Sequence, residues 1–100
     1  MRIRLSPQAR ADLDDVWFYV ASESGSEERA TRIVATITDK FALFARFPFI
    51  GKSFESTKPA NVRSFPVSNY LIFYSTRPNE IRVLRIIHTS RDAWAAFTQE

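Results

Sequence analysis

Residues 61–88, NVRSFPVSNYLIFYSTRPNEIRVLRIIH, decide the fold. From Ala60 onwards the apolar residues leave helical spacing and gather into short runs rich in aromatic and β-branched side chains. The runs are NVRSFPV, NYLIFYST and IRVLRIIH. Ser68-Asn69 and Arg77-Pro78-Asn79-Glu80 separate them, and both have the residue chemistry of turns. The pattern predicts a three-stranded antiparallel meander. Pro66 has no N–H to give to a ladder, so the first of these strands is expected to be an edge or to carry a bulge there.

Upstream, residues 2–5 read as a short strand. Ser6 then offers an N-cap and Pro7 a first helical residue. Leu13, Val16, Trp17 and Val20 follow helical spacing, which predicts a helix from 7 to about 22. Asp12, Asp14 and Asp15 are expected to turn largely towards solvent, near the positive end of its dipole. Gly25 permits a turn, and Ser24 or Ser26 can cap the next helix, Ser24 having Glu27 three residues on as in a capping box. Ala30, Ile33, Val34, Ile37, Phe41 and Phe44 mark that second helix, which Pro48 must stop. Phe49 to Pro59 reads as loop, and Arg91 to Phe97 as a short terminal helix. The order of strand, helical hairpin, three-stranded meander and helical tail is α+β, with the hairpin across one face of the sheet.

The chain has 100 residues, 45% apolar and 14% aromatic, enough for one core and too few to divide; a single domain spanning 1–100 is expected. It has no cysteine and one histidine, so neither disulfides nor an ordinary zinc site is expected, and no cofactor. The N-terminus lacks the apolar run of a signal peptide, and no stretch reaches the roughly 20 apolar residues that span a bilayer. A cytoplasmic protein without membrane contact is expected. The net charge of +3 favours an acidic partner or nucleic acid without choosing between them.

Three segments carry a resemblance: RLSPQARADLDDVWFYV at the start, NYLIFYST in the middle, and IRVLRIIHTSRDAWAAF at the end. In this order and spacing the chain resembles the RelE/ParE toxin superfamily, and its ParE-like branch more closely than the others. The resemblance implies the toxin of a type II toxin–antitoxin system. It implies poisoning of DNA gyrase by protein binding, without a reaction of its own. It also implies neutralisation by a ParD-like antitoxin with a ribbon-helix-helix part, through which alone DNA is contacted.

The alternative is a ribosome-dependent messenger RNA endoribonuclease of RelE type. Such chemistry needs a proton acceptor, a proton donor and cations to compensate charge on the phosphorane. By the likeness, the RelE-type Lys positions fall near Val62 and Ser64, an Arg position at Leu71, and the C-terminal Tyr at Phe97. Only Arg91 is retained. The resemblance therefore argues against an enzyme, and no catalytic residue is assigned. The rival nuclease would need Arg63, Arg85, His88 and Arg91 as a different catalytic set. A third reading is a chain that has lost toxicity and survives as a binding module.

The candidates for target binding are Arg63, Arg82, Arg85, His88, Arg91 and Trp94. Arg82 and Arg85, three apart on a strand, are expected on opposite faces. Asp92 is read either as a cap of the terminal helix or as part of a binding feature with Arg91. The candidates for antitoxin binding are Trp17, Phe18, Tyr19 and Phe97. The first three are consecutive on a helix, about 100° apart, so they cannot all enter one core. Trp94 and Phe97 either dock the tail onto the sheet or, if exposed, mark an interaction site.

Overall fold

A computed structural model describes residues 1–53 and 61–98, apart from the side chain of Trp94. The elements follow the order β1 (Arg2–Leu5), α1 (Pro7–Ser24), α2 (Glu27–Arg46), β2 (Lys52–Ser53), β3 (Val62–Val67), β4 (Tyr70–Arg77), β5 (Glu80–His88) and α3 (Ala93–Thr98). The fold is α+β, as the period change at residue 60 predicts.

Capping sets the helix boundaries. The Ser6 hydroxyl accepts the Ala9 N–H at 3.0 Å, and Pro7 occupies the first turn, where a missing N–H is harmless. Gly25, at φ 68°, ends α1 in the left-handed region and donates its N–H to the Ala21 carbonyl. Ser26, not Ser24, is the N-cap of α2, accepting the Arg29 N–H at 3.0 Å. Ser24 is still inside α1, where its hydroxyl donates to the Val20 carbonyl, so the Ser24–Glu27 box does not form.

The sheet has five strands in the order β1-β5-β4-β3-β2, so the meander forms as expected and gains a strand at each side. β1 lies parallel to β5, and two residues of the expected 49–59 loop, Lys52 and Ser53, pair with Ser64 and Arg63. Residues 54–59 of that loop, and residue 60 after it, lie outside the described residues. β2 flanks β3 only at Arg63 and Ser64, so Pro66 occupies a position with no described strand on that side. The irregularity in the sheet lies elsewhere. Phe73 faces Arg85 and Tyr74 faces Val83, which leaves Leu84 as an extra residue in β5.

Both faces of the sheet are buried. Under the helical hairpin, Ile72, Tyr74, Ile81, Val83 and Ile86 pack against Val16, Ile37, Phe41 and Phe44. On the opposite face Val62, Phe73 and Ile87 meet Ala93 and Phe97 of α3. The central strand β4 is accordingly buried on both faces, with Tyr70, Ile72, Phe73, Tyr74 and Ser75 all enclosed.

Candidate functional site

β1 ends at Leu5, so the outer edge of β5 beyond Val83 needs other partners for its backbone. The chain supplies them from the start of α1. Ser6 donates its N–H to the Val83 carbonyl and its hydroxyl to the Leu84 carbonyl, at 2.9 and 2.7 Å. Asp12 continues the series by accepting the Ile86 N–H at 2.8 Å. The same carboxylate accepts Arg85 Nε at 2.7 Å and Nη2 at 3.1 Å, in a pair whose side chains are 12 and 13% exposed. Asp12 therefore does not turn to solvent as its position in an acidic run suggests. It joins the first helix to the last strand.

This junction forms one wall of a hollow of 320 Å³ lined by Asp15, Tyr19, Tyr70, His88, Ser90 and Arg91, among others. His88 Nδ1 accepts the Ser90 N–H at 2.9 Å and lies 2.7 Å from the Ser90 hydroxyl. A backbone N–H can only donate, so Nδ1 is unprotonated and the neutral ring carries its proton on Nε2. The basic nitrogen is occupied, and His88 presents a donor. Tyr70 packs edge to face against the imidazole, with centroids 5.0 Å apart. Burial, and secondarily Tyr19, raise the Tyr70 phenol above its ordinary pKa, so it stays protonated at neutral pH. Arg91 is exposed at the rim, its backbone N–H bonded to the His88 carbonyl. The hollow thus offers donors and one cation beside the exposed carboxylate of Asp15. This mixed lining suits recognition of polar groups.

The remaining candidates separate. Arg82 bonds Glu80 at 3.2 Å, on the stretch of β5 that precedes the irregularity. It does not lie opposite Arg85 across the sheet. Arg82 faces Ser75 and Arg85 faces Phe73, two residues apart on β4 and hence on one face, because the extra residue Leu84 shifts the alternation. Arg63 donates to the Phe49 and Gly51 carbonyls at 3.2 and 2.8 Å, away from the hollow. Asp92 caps α3, accepting the Ala95 N–H at 3.1 Å. The Trp94 side chain lies outside the described residues.

Of the three consecutive aromatics, Trp17 is half-buried and donates Nε1–H to Thr31 on α2, whereas Phe18 and Tyr19 are 65 and 55% exposed. Tyr19 lines the same hollow as His88 and Arg91, so candidates for different partners share one surface. Phe97 is a correction: it is only 8% exposed and stacks on Phe73 with centroids 4.5 Å apart. It docks the tail onto the sheet and is not the exposed aromatic expected of a contact. Sequence reasoning missed Asp12, Tyr70 and an exposed apolar run after α2, Phe47, Phe49 and Ile50. Only the last left a signal, as FPFI at the helix stop.

Comparison with known proteins decides the family. The ParE toxin of the type II toxin–antitoxin system parDE matches residues 3–93. The chain belongs to the ParE toxin family. Toxin ParE1 of Caulobacter vibrioides is 32% identical over 95 residues, covering 92% of this chain and 93% of its own. Among solved structures, the chromosomal ParDE system from P. aeruginosa aligns with TM-score 0.74 at 23% identity, over 88% of this chain and 95% of that one. The toxin–antitoxin complex RelBE2 from Mycobacterium tuberculosis aligns with TM-score 0.65 at 22% identity, over 87 and 95%. These two likenesses establish the fold.

In this ParE-family toxin, the positions expected to carry nuclease groups lie on one face of the sheet. Ser64 faces Phe73 and Leu71 faces Ile87, while Val62 and Phe97 belong to the apolar cluster under α3. Val62 is fully buried and Ser64 6% exposed. Phe97 is buried there as well, and Leu71 is partly buried against the same cluster. Among the described residues no helix is long and apolar enough to cross a membrane, and no group of acidic, His or Cys side chains is placed to hold a metal.

Proposed function

We propose that this toxin, acting as one domain over residues 1–100, arrests growth by binding DNA gyrase in the cytoplasm and catalyses no reaction itself. We further propose that a ParD-like ribbon-helix-helix antitoxin neutralises it, DNA being reached only through that complex. One observation carries the choice. The sheet face where RelE-type chemistry needs cations and a hydroxyl holds Val62, Leu71 and Phe97 instead, packed under α3. Losing a single charge-stabilising donor costs on the order of a hundredfold in rate, and here several are replaced by hydrocarbon. Family membership supports the gyrase target, and the toxin–antitoxin complexes among its structural likenesses support an antitoxin partner.

The donors of the hollow, His88 Nε2–H and Arg91, fit contact with acidic or carbonyl groups of the target. The expected result is inhibition of gyrase supercoiling, with cleaved DNA accumulating, when purified toxin is added at micromolar concentration. Neither binding nor inhibition would remove gyrase as the target. The fold likeness to RelBE2 favours the RelE-type ribonuclease as the rival. Its proposed set is poorly placed, since Arg85 is committed to Asp12, Arg63 to the loop after α2, and His88 Nδ1 to Ser90. Codon-positioned cuts in messenger RNA, seen by primer extension after induction, would establish it. Normal growth on expression without antitoxin would instead point to a binding module that has lost toxicity.

A further inference from the structure

The segment after α2 exposes apolar side chains from a backbone that is firmly held. Phe47, Phe49 and Ile50 are 50, 71 and 44% exposed. Beneath them the Tyr74 hydroxyl donates to the Pro48 carbonyl and accepts the Gly51 N–H, both at 2.9 Å. Arg63 Nη1 bonds the Phe49 and Gly51 carbonyls, and the Ile50 N–H returns to the Phe47 carbonyl at 3.1 Å. A Cβ on Gly51 would meet the Ser64 carbonyl and the Tyr74 ring at 2.8 Å, so the chain passes directly over the sheet with no slack. The Tyr74 ring is itself fixed by stacking on Phe44 at 4.2 Å. The three side chains are therefore held outward by polar contacts made behind them, and a partner meets a surface already ordered.

Cations border this surface. Arg46 lies over the Phe47 ring at 5.4 Å, and Arg63 over Phe49 at 4.9 Å. With Leu43 and Pro48 the segment encloses an open hollow of 560 Å³. An apolar floor edged by guanidinium groups complements a segment that carries apolar side chains beside carboxylates. Apolar area of this kind is characteristic of long-lived assemblies, whereas encounters with a transient partner use more polar surfaces. We propose that Phe47, Phe49 and Ile50, edged by Arg46 and Arg63, form the preformed docking site for an acidic, apolar segment of the antitoxin. This assignment rests on the antitoxin partnership proposed above.

The test uses the full chain and the product of the adjoining reading frame as the candidate antitoxin, with affinity measured by calorimetry for the wild type, Phe49→Ala/Ile50→Ala and Arg46→Glu. The double variant is expected to bind at least roughly thirtyfold more weakly, as for loss of an interface hot spot. Arg46→Glu, which removes no buried group, is expected to bind about tenfold more weakly and to lose part of the salt dependence. It decides the matter if the double variant fails to fold. Wild-type affinity in Arg46→Glu, or in a folded double variant, would overturn the assignment while leaving the antitoxin partnership intact. So would normal antitoxin binding with loss of toxicity, which would give the surface to the target. A wild-type toxin that does not bind this protein would overturn the partnership, and the assignment with it.

Discussion

Asp12 in the first helix and Arg85 in the last strand form a two-pronged ion pair, Nε and Nη2 each meeting a different carboxylate oxygen, at 2.7 and 3.1 Å. Because Asp12 also accepts the Ile86 N–H, one side chain closes a sheet edge, neutralises a half-buried cation and seals one wall of the hollow around His88.

Asp12→Ala leaves a shielded guanidinium and a strand N–H without their acceptor. The expected loss is about 3 kcal/mol, typical of breaking a buried pair by removing one partner. Asp12→Asn retains an oxygen for Ile86 and should lose roughly half as much. Urea unfolding of both variants, with Asp12→Ala/Arg85→Ala closing a double-mutant cycle, measures the coupling. Additive losses would show that the two side chains act independently.

Tyr74 and Tyr70 predict a loss of stability on the alkaline side. Burial raises both phenols, in Tyr74 against the lowering effects of the Gly51 hydrogen bond and of Arg63, and in Tyr70 with help from Tyr19. The unfolded chain then releases these protons first, at about pH 10. Their contribution is complete below that pH and declines as pH rises through the folded-state values. Urea midpoints between pH 8 and 11 should fall in the wild type and fall less steeply in Tyr74→Phe, which starts lower for want of two hydrogen bonds. Parallel pH curves would contradict the assignment.

Phe97→Ala should destabilise by about 3 kcal/mol, because the ring stacked on Phe73 leaves a cavity under α3. The folded fraction should bind antitoxin with wild-type affinity. Calorimetric melting followed by titration at low temperature separates the two effects. A selective loss of binding at full stability would restore Phe97 as a contact.

Phe18→Ala removes a ring that is 65% exposed, and stability should change by less than about 0.5 kcal/mol. Antitoxin affinity should nevertheless fall by about tenfold, the effect of a moderate interface contact. Unchanged affinity in a normally folded variant would free this face of α1 for another partner.

The sequence by itself determined the elements and their order, except for the two-residue β2 that lies in the expected loop. Ser6-Pro7, Gly25 and Pro48 act within one turn of themselves, and the alternation in residues 61–88 can be satisfied only by strands, so both signals survive any arrangement of the rest. It also places Val62, Ser64, Leu71 and Phe97 where the RelE likeness implies nuclease groups, and none of these four carries a charge. What only the tertiary structure decided are relations between distant residues. The extra residue Leu84 moves Arg82 and Arg85 onto one face, which no count of strand positions reveals, because a bulge depends on the partner strand. Asp12 looks like one of several helix-surface carboxylates until α1 is laid along the edge that β1 leaves open at Leu5. Phe97 and Phe49 are both aromatic, yet one is buried between α3 and the sheet and the other held outward by Tyr74 and Arg63. Burial follows from what the folded chain places nearby, and that is settled by packing between elements distant in sequence.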